Sequence, residues 1–432
     1  MTDPRHEPTG ATPRQPVSRR GLIAGLGAAG FAGVATGGGA GALAAHREAA
    51  DTEVRARRLA MAGQRSRAHP TLQHGIAGAA PAFVHVVSVD IAADHRTDPR
   101  SARSAAQRIL RTWTTQARRL HEEGPAAVPS GAAAAGLLPA SLMVTVGLGG
   151  RLLGAMDMAA RRPEALAELP EFGTDDLRAE WCGGELLLQV GAEDPMVLGA
   201  AVQHLLSAVA GLVRVRWSLR GFQRTAAAAA EPAATPRNLM GQIDGTANPP
   251  QDRALFDTTV SVRAGSAAHG WMRGGSYLVI RRIRMLLDDW YGEDADHRER
   301  VLGRRLSNGA PLGRRNEDDP VPPPSARGAD GRPVIPADAH VRRSSPENNL
   351  GARMFRRGYT YDEGWRPDGT RDAGLLFMAW QADPRRGFVP VQQSLAADDA
   401  LNAYIRHEGS ALFAVPPAPT GDTPIAQALF AP

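Results

Sequence analysis

Lysine is missing from this chain: every one of its 50 Lys-or-Arg positions is arginine. That absence excludes a P-loop lysine, a Schiff-base lysine and a pyridoxal-phosphate enzyme. Cysteine is almost missing too. Cys182 stands alone, so one chain cannot build a disulfide framework, an iron–sulfur cluster or a thiolate zinc site. There is no basic stripe. Arginines alternate with acids, and the net charge is only +5. A nucleic-acid binder would cluster its charge around aromatics, so nucleic acid is not an expected partner. A strongly apolar run of membrane-spanning length is lacking as well. The length of 432 residues suits two ordinary domains or one built by duplication.

The weakly apolar segment VSRRGLIAGLGAAGFAGVATGGGAGALAA lies near the N-terminus. Arg19 and Arg20 precede an uncharged stretch from Gly21 to Ala45. It is too rich in glycine to make a good transmembrane helix. A basic start, a modest apolar stretch and the small-residue site Ala42-Leu43-Ala44 instead make residues 1–44 read as a cleavable export signal. The paired arginines resemble a Tat signal. The expectation is export by the Tat machinery to the cell envelope or exterior of a bacterium. A protein exported already folded needs no disulfides and can carry a cofactor inserted beforehand.

Two segments punctuate the remainder. Residues 224–237 form an alanine-rich linker between an expected N-terminal domain, 70–223, and a C-terminal one, 238–432. Leu306–His340 is a long proline- and glycine-rich excursion, and a loop of that length inside a domain is usually functional. Strand signals fall at Phe83–Ile91, Ser141–Gly149, Gly184–Ala192 and Leu212–Phe222. Between the first two, Ile109, Leu110, Trp113, Ala117 and Leu120 share one helical face. A second helix is expected after Pro195. The order is β-α-β-β-α-β. It recurs with a strand over Gly275–Leu286, a helical region over Asp288–Gly303 and strands over Gly358–Asp362 and Ala373–Ala382. A helix over Ser394–His407 and a strand over Ser410–Pro417 complete it. The pattern predicts an α+β protein with a duplicated ferredoxin-like fold: two antiparallel sheets, peripheral helices, and room for a large cofactor beside the long loop.

GQIDGTANPP, Gly241–Pro250, sets an aspartate before a glycine. By itself Asp-Gly signals a turn. Its companions carry more weight. GSYLVIRRIRMLLDDW, VLGRRLSNGAPLG, DAHVRR, ARMFRRGYTY, LLFMAWQADPRRGFVPVQ and ALNAYIRHEGSALFAVPP follow in order. This series resembles the dye-decolourising peroxidases, whose signature includes G-x-x-D-G, and it spans nearly all of the C-terminal half.

The resemblance implies haem b, one per chain, with His340 as the axial ligand and Asp399 as the carboxylate that orients it. It makes Asp244 the distal acid–base residue and Arg356 the guanidinium that stabilises the departing oxygen of hydrogen peroxide. Gly245, Thr246 and Ala247 would let backbone approach the porphyrin. Arg304 would meet its propionates, and Phe377 would shape the distal wall. Arg357 is the competitor of Arg356 for this role and could as easily face solvent. An organic one-electron donor is the expected reducing substrate, with Trp290, Tyr291, Trp380 and Tyr404 as candidate electron relays. Two rivals remain: a deferrochelatase that releases iron from haem, and a haem-binding protein without turnover. Homo-oligomerisation is left open.

Overall fold

The computed structural model describes residues 69–129, 132–225, 228, 235–251, 254–263 and 267–431, together with Thr52 and Ala56. Residues 1–55 and 56–432 are separate units, and the fold described is that of the second. The expected export signal, and most of the alanine-rich linker, lie outside the described residues.

The first half contributes β1 (Phe83–Ile91), α1 (Pro99–Glu123), β2 (Met143–Gly149), α2 (Gly150–Ala155), β3 (Leu186–Ala192), α3 (Pro195–Ser207) and β4 (Val213–Phe222). Both long helices begin on the same device. Asp98 accepts from the Arg100 and Ser101 amides, and Asp194 from those of Met196 and Val197. Each aspartate is followed by proline at the first helical position, where no amide partner is lost. α1 stops at Gly124, whose φ of 65° favours glycine. Its buried face includes Ile109, Leu110 and Trp113, and the Trp113 indole donates to the Leu205 carbonyl of α3 at 2.9 Å.

The second half contributes α4 (Ala254–Val260), β5 (Ser276–Met285), α5 (Leu287–Gly292), α6 (Ala295–Leu302) and α7 (His340–Arg343). β6 (Phe355–Arg356), β7 (Tyr359–Trp365), β8 (Arg371–Gln381), α8 (Phe388–Asp398) and β9 (Ile405–Val415) follow. Strand order in the first half is β2-β3-β1-β4 and in the second β9-β5-β8-β7. The two halves therefore repeat one ferredoxin-like order, and all ladders are antiparallel. β2 joins β9 at Leu148↔Ala414 and Gly149↔Phe413, and β4 joins β7 at Phe222↔Thr360. The sheets thus close on each other, which removes the open edges that invite aggregation.

Side-chain alternation gives each strand two jobs. Val84, Val86, Leu278, Ile280, Met378, Trp380 and Phe413 belong to one core shared by both halves. Alternate residues of the first half, such as Val87, Val89, Leu188 and Val190, pack beneath the helices. The shared core also holds charge. Buried Arg282 pairs with Glu408 and, at 2.7 Å, with Asp372. Arg366 meets Glu408 at 2.6 Å. The Arg282 guanidinium lies 4.6 Å from the Trp181 ring and 4.4 Å from that of Tyr361. Removing one partner of such a buried network leaves an uncompensated charge. Glu408→Ala is expected to cost about 3–5 kcal/mol of unfolding free energy, with Glu408→Gln costing less. Urea titration of both variants tests this, and an unchanged midpoint for the alanine variant would refute it.

Two expected elements are drawn differently. The helical region over 288–303 is two helices, because Asp294 starts a new one by accepting from the His297 amide at 2.7 Å. The expected helix over Ser394–His407 is corrected at both ends. α8 starts earlier, at Phe388, because Pro390 falls in the first turn, where its missing N–H does no harm. It ends at Asp398, and Ile405–His407 pair with Met285, Arg284 and Ile283 of β5 instead. Tertiary pairing overrides local helical periodicity there.

Candidate active site

A small loop hairpin presents Asp244. The Asp244 amide donates to Pro236 and the Asn238 amide to Gln242, while Arg237 bridges Ile243. Arg237 also donates to the carbonyls of Gly241, Leu306 and Ser307. It therefore ties this loop to the start of the long excursion. Gly241 and Gly245 have φ of 79° and 113°, which a side chain would strain. Thr246 and Ala247 continue the wall of the same cleft.

The cleft has two adjoining lobes of about 950 and 850 Å3, both partly open to solvent. Asp244, His340, Met354, Arg356 and Val391 border both lobes. Arg304, Thr246 and Ala247 border the first; Phe377, Asp399, Arg281 and His407 border the second. Asp244, Arg356, His340, Arg304, Phe377 and Asp399 thus reach one cleft. It lies between one face of the second-half sheet, α7, α8 and the loop that follows α6.

His340 opens α7 at the end of the long excursion. Its Nδ1 lies 2.7 Å from Asp399 Oδ2, and the Asp399 side chain is 1 % exposed. The other Asp399 oxygen accepts from the Leu401 amide at 3.0 Å, which fixes the carboxylate. Among the described residues, nothing hydrogen-bonds His340 Nε2, so that nitrogen is available to a metal. Below it, His407 is buried, and its pKa is pushed down to about 3, first by burial and then by Arg281 and His340.

Arg356 and Arg357 point in different directions. Arg357 is buried and donates to the Gly75 and Gly78 carbonyls at 2.8 and 2.6 Å. It does not face solvent: two backbone acceptors hold it inside. Arg356 borders the cleft with Asp244. Burial, and then the Arg356 charge, hold the Arg304 guanidinium below its ordinary pKa. Two cations brought together beside the cleft suit an anionic occupant.

Three contributors carry no signal in the sequence by themselves. Asn248 hydrogen-bonds both backbone groups of Arg356. A Cβ on Gly358 would lie 3.1 Å from Leu375 Cδ1, a tight contact, and in ordinary contact with Asp244 Oδ2, so a side chain here would crowd Leu375 beside the carboxylate. His407 belongs to a strand that local periodicity reads as helix. Among the candidate relays, Trp290 stacks edge-on against Tyr404 at 5.1 Å and donates to the Met240 carbonyl at 2.9 Å. Tyr291 is 55 % exposed, whereas Trp380 is sealed in the shared core.

These residues fit a haem. One imidazole has its Nδ1 anchored and its Nε2 available, apolar side chains line the walls, and a cationic end suits propionates. Among the described residues no group of three or more His, Cys, Asp or Glu is gathered as a metal site. A lone imidazole suits a metal whose other ligands come from its own macrocycle.

Family models described as Dyp-type peroxidase, N-terminal and Dyp-type peroxidase, C-terminal match residues 73–223 and 235–420. The chain is 62% identical over 427 residues to the dye-decolorizing peroxidase of Thermobifida fusca strain YX, with 98% of each covered. It is 32% identical over 349 residues to the deferrochelatase of Escherichia coli K12, with 79% of this chain and 81% of the relative covered. A DyP-type peroxidase structure from Streptomyces coelicolor superposes with a TM-score of 0.80 at 40% identity, covering 85% of this chain and 98% of that one. Ferric DtpA from Streptomyces lividans gives 0.79 at 40% identity, with the same coverage. The chain therefore belongs to the Dyp-type peroxidases, and it is a haem peroxidase that acts on hydrogen peroxide.

Proposed function

We propose that the protein binds one haem b per chain in this cleft and uses hydrogen peroxide to oxidise organic one-electron donors. The observation that carries the reading is the convergence of Asp244, Arg356 and His340 on one cavity. His340 Nε2 would hold the iron. Arg304 would take a propionate, and Gly245, Thr246 and Ala247 would face the ring edge. When bound, haem supplies an iron centre that takes two oxidising equivalents from the peroxide and returns them one at a time.

The chain's own residues manage protons and orientation. Asp399 accepts from His340 Nδ1–H, which fixes the tautomer and makes Nε2 a better electron donor. The Asp244 carboxylate takes the proton from one peroxide oxygen and delivers it to the other, which departs as water. Arg356 directs N–H groups at that departing oxygen and stabilises the charge that grows on it. A second cavity also borders Asp244, Gly245 and Arg356, walled by Pro249, Pro250 and Gln251. It supports an approach for a molecule as small as peroxide.

An absorption spectrum of the haem-loaded protein, before and after one equivalent of peroxide, tests the reading. The Soret band is expected to change on peroxide and to recover as a phenol or dye is oxidised. A pyridine haemochrome assay should count one haem b per chain. Release of metal-free porphyrin with no donor oxidation would favour iron extraction instead. An unchanged Soret band would favour simple haem binding.

A further inference from the structure

Arg356 belongs to a strand of two residues, β6, and sits opposite Ala379 of β8. The ladder bond to β8 here comes from the next residue: the Arg357 amide donates to the Met378 carbonyl at 2.8 Å. In an antiparallel pair, alternate residues turn their N–H and C=O groups to opposite sides. The Arg356 peptide groups therefore face away from β8. Asn248 meets both. Its Oδ1 accepts from the Arg356 amide at 2.9 Å, and its Nδ2 donates to the Arg356 carbonyl at 2.7 Å.

A carboxamide suits this task because it carries one acceptor and a donor in one plane, as a peptide group does. A carboxylate cannot donate, and a hydroxyl is too compact to span both groups. Asn248 is itself fixed. Its amide donates to the Gly245 carbonyl at 3.0 Å, closing a tight turn directly after Asp244. Pro249 follows, which holds the Asn248 backbone away from helical angles. The same short turn thus carries the carboxylate and grips the backbone of the arginine. Behind β6, Arg357 is tied to Gly75 and Gly78.

We infer that Asn248 is a positioning residue that sets the separation between the Asp244 carboxylate and the Arg356 guanidinium by clamping the Arg356 backbone. The inference rests on the proposed roles of Asp244 and Arg356. Asn248 borders the second cavity but neither lobe of the haem cleft, and its side chain is engaged with the Arg356 backbone. Its effect is confined to the step in which both side chains must address one peroxide molecule, because misplacing a catalytic group by about 1 Å can cost ~10²-fold.

The test uses haem-loaded wild type, Asn248→Ala, Asn248→Asp and Arg356→Ala. Hydrogen–deuterium exchange of a peptide spanning residues 354–358 reads the clamp directly, without turnover. The alanine variant should exchange about tenfold faster there, the loss expected of one hydrogen bond. The bimolecular rate of the peroxide-driven Soret change should fall ~10–100-fold. Haem affinity, and donor oxidation once peroxide has reacted, should stay at wild-type values. The aspartate variant keeps the acceptor but not the donor. It should fold with near-normal protection of the Arg356 amide and still react slowly with peroxide, and it serves if the alanine variant is unstable. Unchanged exchange in the alanine variant would overturn the clamp. Faster exchange with an unchanged peroxide rate would overturn its positioning role. An Arg356→Ala variant as fast as wild type would remove the role of Arg356, and the catalytic meaning of the clamp with it, while the exchange result would still report the contact.

Discussion

His340→Ala is expected to purify without haem and to show no Soret band after incubation with haem under conditions that saturate wild type. Losing an outer partner of a metal ligand commonly costs ~10–100-fold in affinity, and losing the only protein ligand costs more. The effect extends to stability. A ligand held at a hundred times its dissociation constant adds about 2.7 kcal/mol to the folded state. Haem should therefore raise the melting temperature of wild type and leave that of the variant where it was. The fold should survive, because His340 is partly exposed at the start of a short helix and is not in the core. Retention of haem with an unchanged axial spectrum would contradict the assignment of His340 outright.

Asp244→Asn should keep haem and lose the reaction with peroxide. A carboxamide matches the carboxylate in size, so the shape of the cleft wall is preserved. It cannot take up a proton under ordinary conditions. Removing a positioned acid–base group typically costs ~10²–10⁴-fold. Removing a charge-stabilising donor costs ~10²–10³-fold, so Arg356→Ala should be impaired by a comparable or smaller factor. Stopped-flow recording of the Soret change gives each rate directly. A variant with asparagine at 244 that reacts with peroxide as fast as wild type would transfer the proton shuttle to another group. A double variant no slower than the slower single one would show that the two side chains act as one unit.

Much of the fold can be read from local pattern, and the strands show why. Phe83–Ile91 is found as a strand over its full expected length, since its β-branched run suits a ribbon buried on both faces. The helix of α1 was legible from the spacing of Ile109, Leu110 and Trp113. The segment over 394–407 was misread because its helical spacing competes with an edge offered by β5, and no local rule weighs a partner more than a hundred residues away. The site divides in the same way. Asp244, His340 and Arg356 are recognisable through their motifs. Asn248 acquires its role only by meeting Arg356 across 108 positions. Arg357 is drawn inward by Gly75 and Gly78, whose carbonyls lie still further off along the chain. Such groups look like ordinary turn or surface residues until the barrel closes.

The repeated strand order leaves two sheet faces that began as equivalents. In the first half α1 and α3 fill theirs with Ile109, Trp113 and Leu205; in the second half the corresponding ground is given over to the cleft. One repeat is thus a solid keel and the other a berth. Mutational tolerance should divide along that line: volume changes beneath α1 would be felt as lost stability, and those beside Phe377 and Val391 as altered occupancy of the berth.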